Sequence, residues 1–154
     1  MSGSVEQRLA ELGHTLPTPP KAAAKYVPTV RTGNLVFVAG QISALAGGEK
    51  ITGKLGDGLS IDEGRRAAQI CALNILAQLK AELGDLDRIT RIVRLNGFVN
   101  ATPDFADHPA VINGASELIG ELLGEKGAHS RIALGAASLP FGSAVEIDAV
   151  VEVA

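Results

Sequence analysis

Hydrophobic positions along this chain recur at two spacings, and the switches between them mark out the elements. Residues 4–12 read as a short helix, with Ser4 as its cap, Gln7 three positions on and Gly13 as its stop. Pro17, Pro19 and Pro20 then predict an extended connector. Residues 26–30 read as a strand, Arg31-Thr32-Gly33-Asn34 as a turn and residues 35–39 as a second strand, which together make a hairpin. Residues 47–58 are rich in glycine and show no period, so a loop is expected there. Ser60 and Glu63 form a capping box, and Ala68, Cys71, Ala72, Ile75 and Leu79 follow at helical spacing until Gly84. Residues 89–101 read as a strand. Asp107 and Pro109 open a second long helix, with Val111, Ala115, Leu118 and Leu122 on one face and Gly124 as its stop. The last third predicts strands over residues 131–139 and 144–153 around a Pro140-Phe141-Gly142 corner. In the final strand Val145, Ile147, Ala149, Val151 and Val153 alternate with Glu146, Asp148 and Glu152.

This order is β-β-α-β-α-β-β after a short helix, an α+β arrangement. It predicts one mixed sheet with two long helices packed on one face. Residues 1–25 form the short helix and proline connector; residues 26–154 form the domain proper. One strand does not suit a two-layer protein. Val36 and Val38 alternate with Leu35, Phe37 and Ala39, so both of its faces are apolar. Helices on one side leave the other side bare, and a second copy of the chain is the simplest cover. An oligomer is expected.

Composition narrows the partners. Net charge is −3, and the longest basic run is the pair Arg65-Arg66. Nucleic-acid binding draws most of its affinity from neutralising phosphates, so the lack of a basic stripe counts against it. A single cysteine, Cys71, excludes an internal disulfide; its place in an apolar helical run predicts a buried, inert thiol. His14, His108 and His129 lie far apart without matching ligand spacing, and no metal site is expected. No phosphate loop and no nucleophile elbow is present. No stretch approaches the roughly 18 apolar residues of a membrane span, and the polar start is unlike a secretion signal, so the cytoplasm is the expected location.

Four segments carry a resemblance. Arg131-Ile-Ala-Leu-Gly-Ala-Ala-Ser-Leu139-Pro140, followed ungapped by Val145-Glu146-Ile147-Asp148-Ala149, is similar to the signature of the RidA/YjgF family. Tyr26-Val27 and the stretch from Gly33-Asn34 through Ala39-Gly40-Gln41-Ile42 resemble that family's N-terminal hairpin, and Ile112-Asn113-Gly114-Ala115 its second helix. The helix and connector ahead of them resemble a longer subgroup. The resemblance implies a chorismate-mutase-like fold and a homotrimer whose sheets line a central barrel, with ligand clefts at the subunit boundaries. It also implies hydrolysis of reactive 2-imino and 2-enamino acids to 2-oxo acids and ammonia, without a cofactor.

Residue by residue, the resemblance assigns Arg131 to the substrate carboxylate, which a planar guanidinium can hold by two parallel hydrogen bonds. Glu146 would place a water and manage protons for the leaving ammonia. Tyr26, Gly40, Asn113 and Ala133 would line the cleft. Tyr26 could equally be core packing, and Asn113 could equally tie helix to strand. His129, two residues from Arg131, could touch the cleft. Where many relatives carry serine and cysteine, this chain has Ala39 and Ala133, which makes the cleft more apolar. One residue is inserted near residues 124–127. Two rival functions remain open: a non-catalytic trimer that holds small carboxylic acids, and an endoribonuclease or translation inhibitor, against which the acidic charge speaks.

Overall fold

The computed structural model describes residues 3–154. Its first helix, α1 (Ser4–Glu11), is capped from the far side of the molecule rather than by its own first residue. Gly3 holds the cap position and Ser4 already lies inside the helix. The Asp87 carboxylate supplies the missing acceptor, taking Ser4 N and Val5 N at 2.9 Å and Ser4 Oγ at 3.1 Å. A carboxylate there also meets the positive end of the helix dipole. The backbone N–H groups of Val5 and Ser4 hold the Asp87 carboxyl below its ordinary range. Leu9 seats the helix in the core.

The hairpin forms from β1 (Thr29–Thr32) and β2 (Leu35–Ile42), turning at Gly33-Asn34. Pairing starts at Thr29, three residues later than predicted. Pro28 has no N–H to donate, and Tyr26 and Val27 stay outside the ladder. Strand β2 continues to Ile42 past a bulge between Val38 and Gln41. Inside the glycine-rich loop a two-residue pair forms, β3 (Lys54–Leu55) with β4 (Gly58–Leu59).

Helix α2 (Ile61–Leu83) begins at the predicted capping box. Ser60 Oγ accepts from Glu63 N, and the Glu63 carboxylate accepts from Ser60 N, both at 3.1 Å. Gly84 ends it in the left-handed region (φ 79°) that glycine adopts at little cost. The predicted apolar stripe is too narrow, however. Ile70, Leu73, Leu76 and Ala77 are buried as well, because α2 lies between the sheet, the third helix and the connector. Two buried amides hold its neighbours: Asn74 donates to the carbonyls of Ile42 and Ala44, and Gln78 to the carbonyl of Pro20. Cys71 is fully buried, and that burial pushes its thiol well above the ordinary range.

Strand β5 (Ile89–Asn100), helix α3 (His108–Leu123), strand β6 (Ser130–Ala136) and strand β7 (Val145–Val153) complete the chain. The five-stranded sheet has the order β1-β2-β7-β5-β6. The β5–β6 pair, joined through α3, is parallel and the others are antiparallel, so the sheet is mixed as expected. Strand β6 stops at Ala136, short of the predicted end, because its neighbour β5 runs out at Asn100 opposite it.

Both long helices cover one face of the sheet. On β7, Val145, Ile147, Ala149, Val151 and Val153 enter the core they share. The other face is bare of helices. Phe37 is 45% exposed there while its neighbours Val36 and Val38 are buried, so β2 is apolar on both sides as its pattern predicts. Ile132 and Leu134 add to the exposed apolar surface near the β6 edge. Among the described residues, no helix is long and apolar enough to cross a membrane.

Candidate functional site

Arg131 and Glu146 do not meet within one chain. Arg131 stands on the edge strand β6 and turns toward the helices. Glu146 stands on β7, two strands in, and turns toward the bare face. Strand alternation enforces this split. In the parallel register Arg131 and Ala133 sit opposite Leu95 and Gly97 of β5, whose side of the sheet α3 covers. Arg131 and Ala133 therefore share one strand face, while Glu146 falls between the core residues Val145 and Ile147 and must face the other way.

The arginine half is closely ordered. Arg131 Nη1 donates to Ser116 Oγ at 3.0 Å and Nη2 to the Pro109 carbonyl at 3.2 Å. These acceptors lie seven positions apart on one stripe of α3, and Asn113 lies between them on the same stripe. His129 completes the group through Ser116 Oγ at 2.8 Å. Further along β6, Gly135 borders a cavity of about 560 Å³ with Lys54, Thr102, Phe105 and His108. The Lys54 ammonium is tied there to Asn100 Oδ1 at 2.7 Å and to the Ala137 carbonyl.

The glutamate half surrounds a different cavity, of about 540 Å³, which brings Tyr26, Gly40 and Glu146 together with Gln41, Gln78 and Phe141. Tyr26 is 50% exposed at this cavity and is not a core residue. The Gln78–Pro20 bond, at 2.7 Å, pins the end of the connector that leads to it. A Cβ at Gly40 would meet the tip of the Glu146 side chain, so the carboxylate would have to swing aside to admit one. Phe141 holds a left-handed backbone (φ 58°) at the Pro-Phe-Gly corner, a conformation costing about 1–2 kcal/mol for a residue with a side chain.

Glu146 differs from its neighbours on β7. Glu152 accepts from Thr90 at 2.7 Å and Asp148 from Asn96 at 2.7 Å, both across the β5–β7 ladder. Glu146 pairs in register with Phe98, which offers no donor, and its carboxylate has no hydrogen bond among the described residues. Burial, and secondarily the charge of Asp148, raise its pKa above the ordinary carboxylate value. A half-buried carboxyl of this kind can give and take a proton nearer neutrality than a free one.

Several residues of the two halves escaped sequence reasoning. Ser116 and Gln78 look like ordinary helix residues, and Lys54 sits in a loop without periodicity. His129 stood out only by its nearness to Arg131, and His108 only as a weak metal candidate. No cluster of three or more histidine, cysteine or acidic side chains that could hold a metal occurs among the described residues.

A five-stranded mixed sheet with helices on one face defines an α+β protein. Residues 6–153 match the family described as "YjgF/chorismate mutase-like, putative endoribonuclease", and the chain belongs to that family, also called RidA/YjgF. It is similar to protein TCP17 of Trypanosoma cruzi, 47% identical over 152 residues that cover 98% of this chain and 95% of that protein. The crystal structure of Atu1372 from Agrobacterium tumefaciens, of unknown function, matches with 50% identity and a TM-score of 0.90, covering 97% of this chain and 94% of that one. A Shewanella oneidensis protein given the same endoribonuclease designation matches with 34% identity and a TM-score of 0.94, over 98% of this chain and 100% of its own.

Proposed function

We propose that this protein hydrolyses reactive 2-imino and 2-enamino acids to 2-oxo acids and ammonia, in clefts that form where subunits of a homotrimer meet. The observation that carries this reading is the split itself. A guanidinium built to hold a carboxylate and a carboxyl poised for proton transfer lie on opposite faces of one sheet, so only a second chain completes the site. The bare apolar face supplies the reason to associate, and facing three such sheets inward would make a central barrel.

In the assembled cleft Arg131 of one chain clamps the substrate carboxylate, with Asn113 and Ala133 beside it. The neighbouring chain brings Tyr26 as a wall, the Gly40 N–H as a further donor to the carboxylate, and Glu146. Ionised Glu146 takes a proton from the water that attacks the imine carbon. The resulting carboxylic acid gives that proton to the nitrogen, forming a carbinolamine; Glu146 then carries the proton of the new hydroxyl to the amino group, which leaves as ammonia while the carbon becomes a ketone. Imines already react with water, so orientation and one proton shuttle are sufficient catalysis. Ala133 and Ala39 keep the cleft apolar, which strengthens both charged contacts.

Mixing inactive chains tests the reading. Arg131→Ala and Glu146→Gln proteins, each inactive alone toward 2-iminopropionate, should regain turnover when unfolded and refolded together, since some clefts then hold both native residues. No recovery from mixed trimers sinks the shared cleft. A monomer by mass measurement sinks it sooner. Ligand binding without any turnover in the native protein leaves the binding-protein reading in its place.

A further inference from the structure

Arg131 is the donor end of a short hydrogen-bonded chain whose bonds run in one direction when the His129 ring is neutral. His129 Nδ1 lies 2.6 Å from the Gly127 carbonyl, which can only accept, so Nδ1 carries the ring proton. In the neutral ring Nε2 is then bare and accepts the Ser116 hydroxyl, 2.8 Å away. With its hydrogen committed, Ser116 Oγ turns its lone pairs outward, and Arg131 Nη1 donates to it at 3.0 Å. Gly127 makes the arrangement possible. A Cβ there would sit 2.6 Å from the Ile119 carbonyl, so only glycine lets this turn press against α3.

We propose that Ser116 and His129 are positioning residues that pre-orient the Arg131 guanidinium for one carboxylate; this rests on the reading of Arg131 as the carboxylate clamp. The guanidinium has five N–H donors. Ser116 and Pro109 each take one, and the three left over suffice for a two-bond grip on a carboxylate. An unheld arginine would give up rotamer freedom on every binding event; here that ordering is done in advance. A role in merely fastening α3 to β6 predicts a loss of stability, whereas positioning predicts a change in carboxylate affinity.

The test uses the full-length oligomer, with benzoate binding measured by calorimetry and 2-iminopropionate turnover measured alongside. Ser116→Ala should weaken benzoate and raise KM by a shared factor, roughly three- to tenfold, with kcat within about twofold of native. Ser116→Thr, which restores a hydroxyl, should recover both. A crystal structure of the Ser116→Ala protein should show the guanidinium displaced. Should that variant fail to assemble, His129→Leu removes the ring acceptor and should shift affinity in the same direction. An unmoved Arg131, or native benzoate affinity in both variants, overturns the inference. If Arg131→Ala itself binds benzoate normally, the clamp fails and the inference goes with it. If benzoate binding follows Ser116 and Arg131 but the native protein never hydrolyses imines, only the hydrolase reading falls.

Discussion

The edge around Arg131 and the face around Glu146 are built on opposite plans. At the edge the guanidinium, hydroxyl, imidazole and carbonyl form one continuous chain of bonds. At the face, Asp148 and Glu152 are bonded across the sheet while Glu146 between them and the corner is left without a donor. A group that only has to hold something gains from being fixed beforehand, because each fixed rotamer lowers the cost of binding. A group that must exchange protons gains from the reverse, because a donor bonded to its charged form would pull its pKa down and out of range. On the proposed function, one half is ordered for affinity and the other is left unpaired for reactivity.

That contrast can be broken most directly by separating binding from turnover. Arg131→Ala should abolish benzoate binding and lower kcat/KM by roughly a hundredfold or more, with the assembly intact by light scattering. Glu146→Gln should keep benzoate affinity within about twofold while lowering kcat by about a hundredfold or more. Equal loss of binding in both would erase the distinction. A smaller effect is expected at Gly40, where the added methyl of Gly40→Ala must push the Glu146 carboxylate aside. Turnover should fall about tenfold, from displacement of a proton carrier; native turnover would show that the carboxylate's placement is unimportant.

The subtlest effect is on stability. Glu146 has a raised pKa in the folded chain, so the folded state binds its proton more tightly than the unfolded state does. Lowering the pH through the carboxylate range therefore stabilises the protein at this site, and raising it back removes that contribution. Glu146→Gln never ionises. It should melt higher than native protein at neutral pH, with the gap closing as the pH drops below the ordinary carboxylate value. A gap that widens on acidification would show that the native carboxylate is stabilised by a partner rather than strained.

Local signals were the legible ones. The Ser60-Glu63 box, the Gly84 stop and the Gly33-Asn34 turn each depend on residues within a few positions, and all formed where the spacing predicts. The alternation along residues 145–153 gave both the strand and the direction of Glu146. Features that depend on pairing were not legible. Strand β6 ends where β5 stops supporting it, and α2 is buried nearly all round because a third helix and the connector close over it. Arg131 and Glu146 came from one family signature, but their opposite facing follows from the register with Leu95 and Phe98, which no stretch of sequence states. Ser116 reaches His129 across thirteen positions and a turn between helix and strand. Such a contact exists only once the crossover has closed.

The remote carboxylate at the start of α1 has a consequence for how the chain acquires its shape. Eight residues are too few to hold a helix in water on their own, and this segment lacks a side-chain cap of its own. Its helical form is therefore tied to the turn that carries Asp87. The first turn of α1 thus depends on a carboxylate more than eighty positions away, and losing that carboxylate would undo it without touching the helix itself.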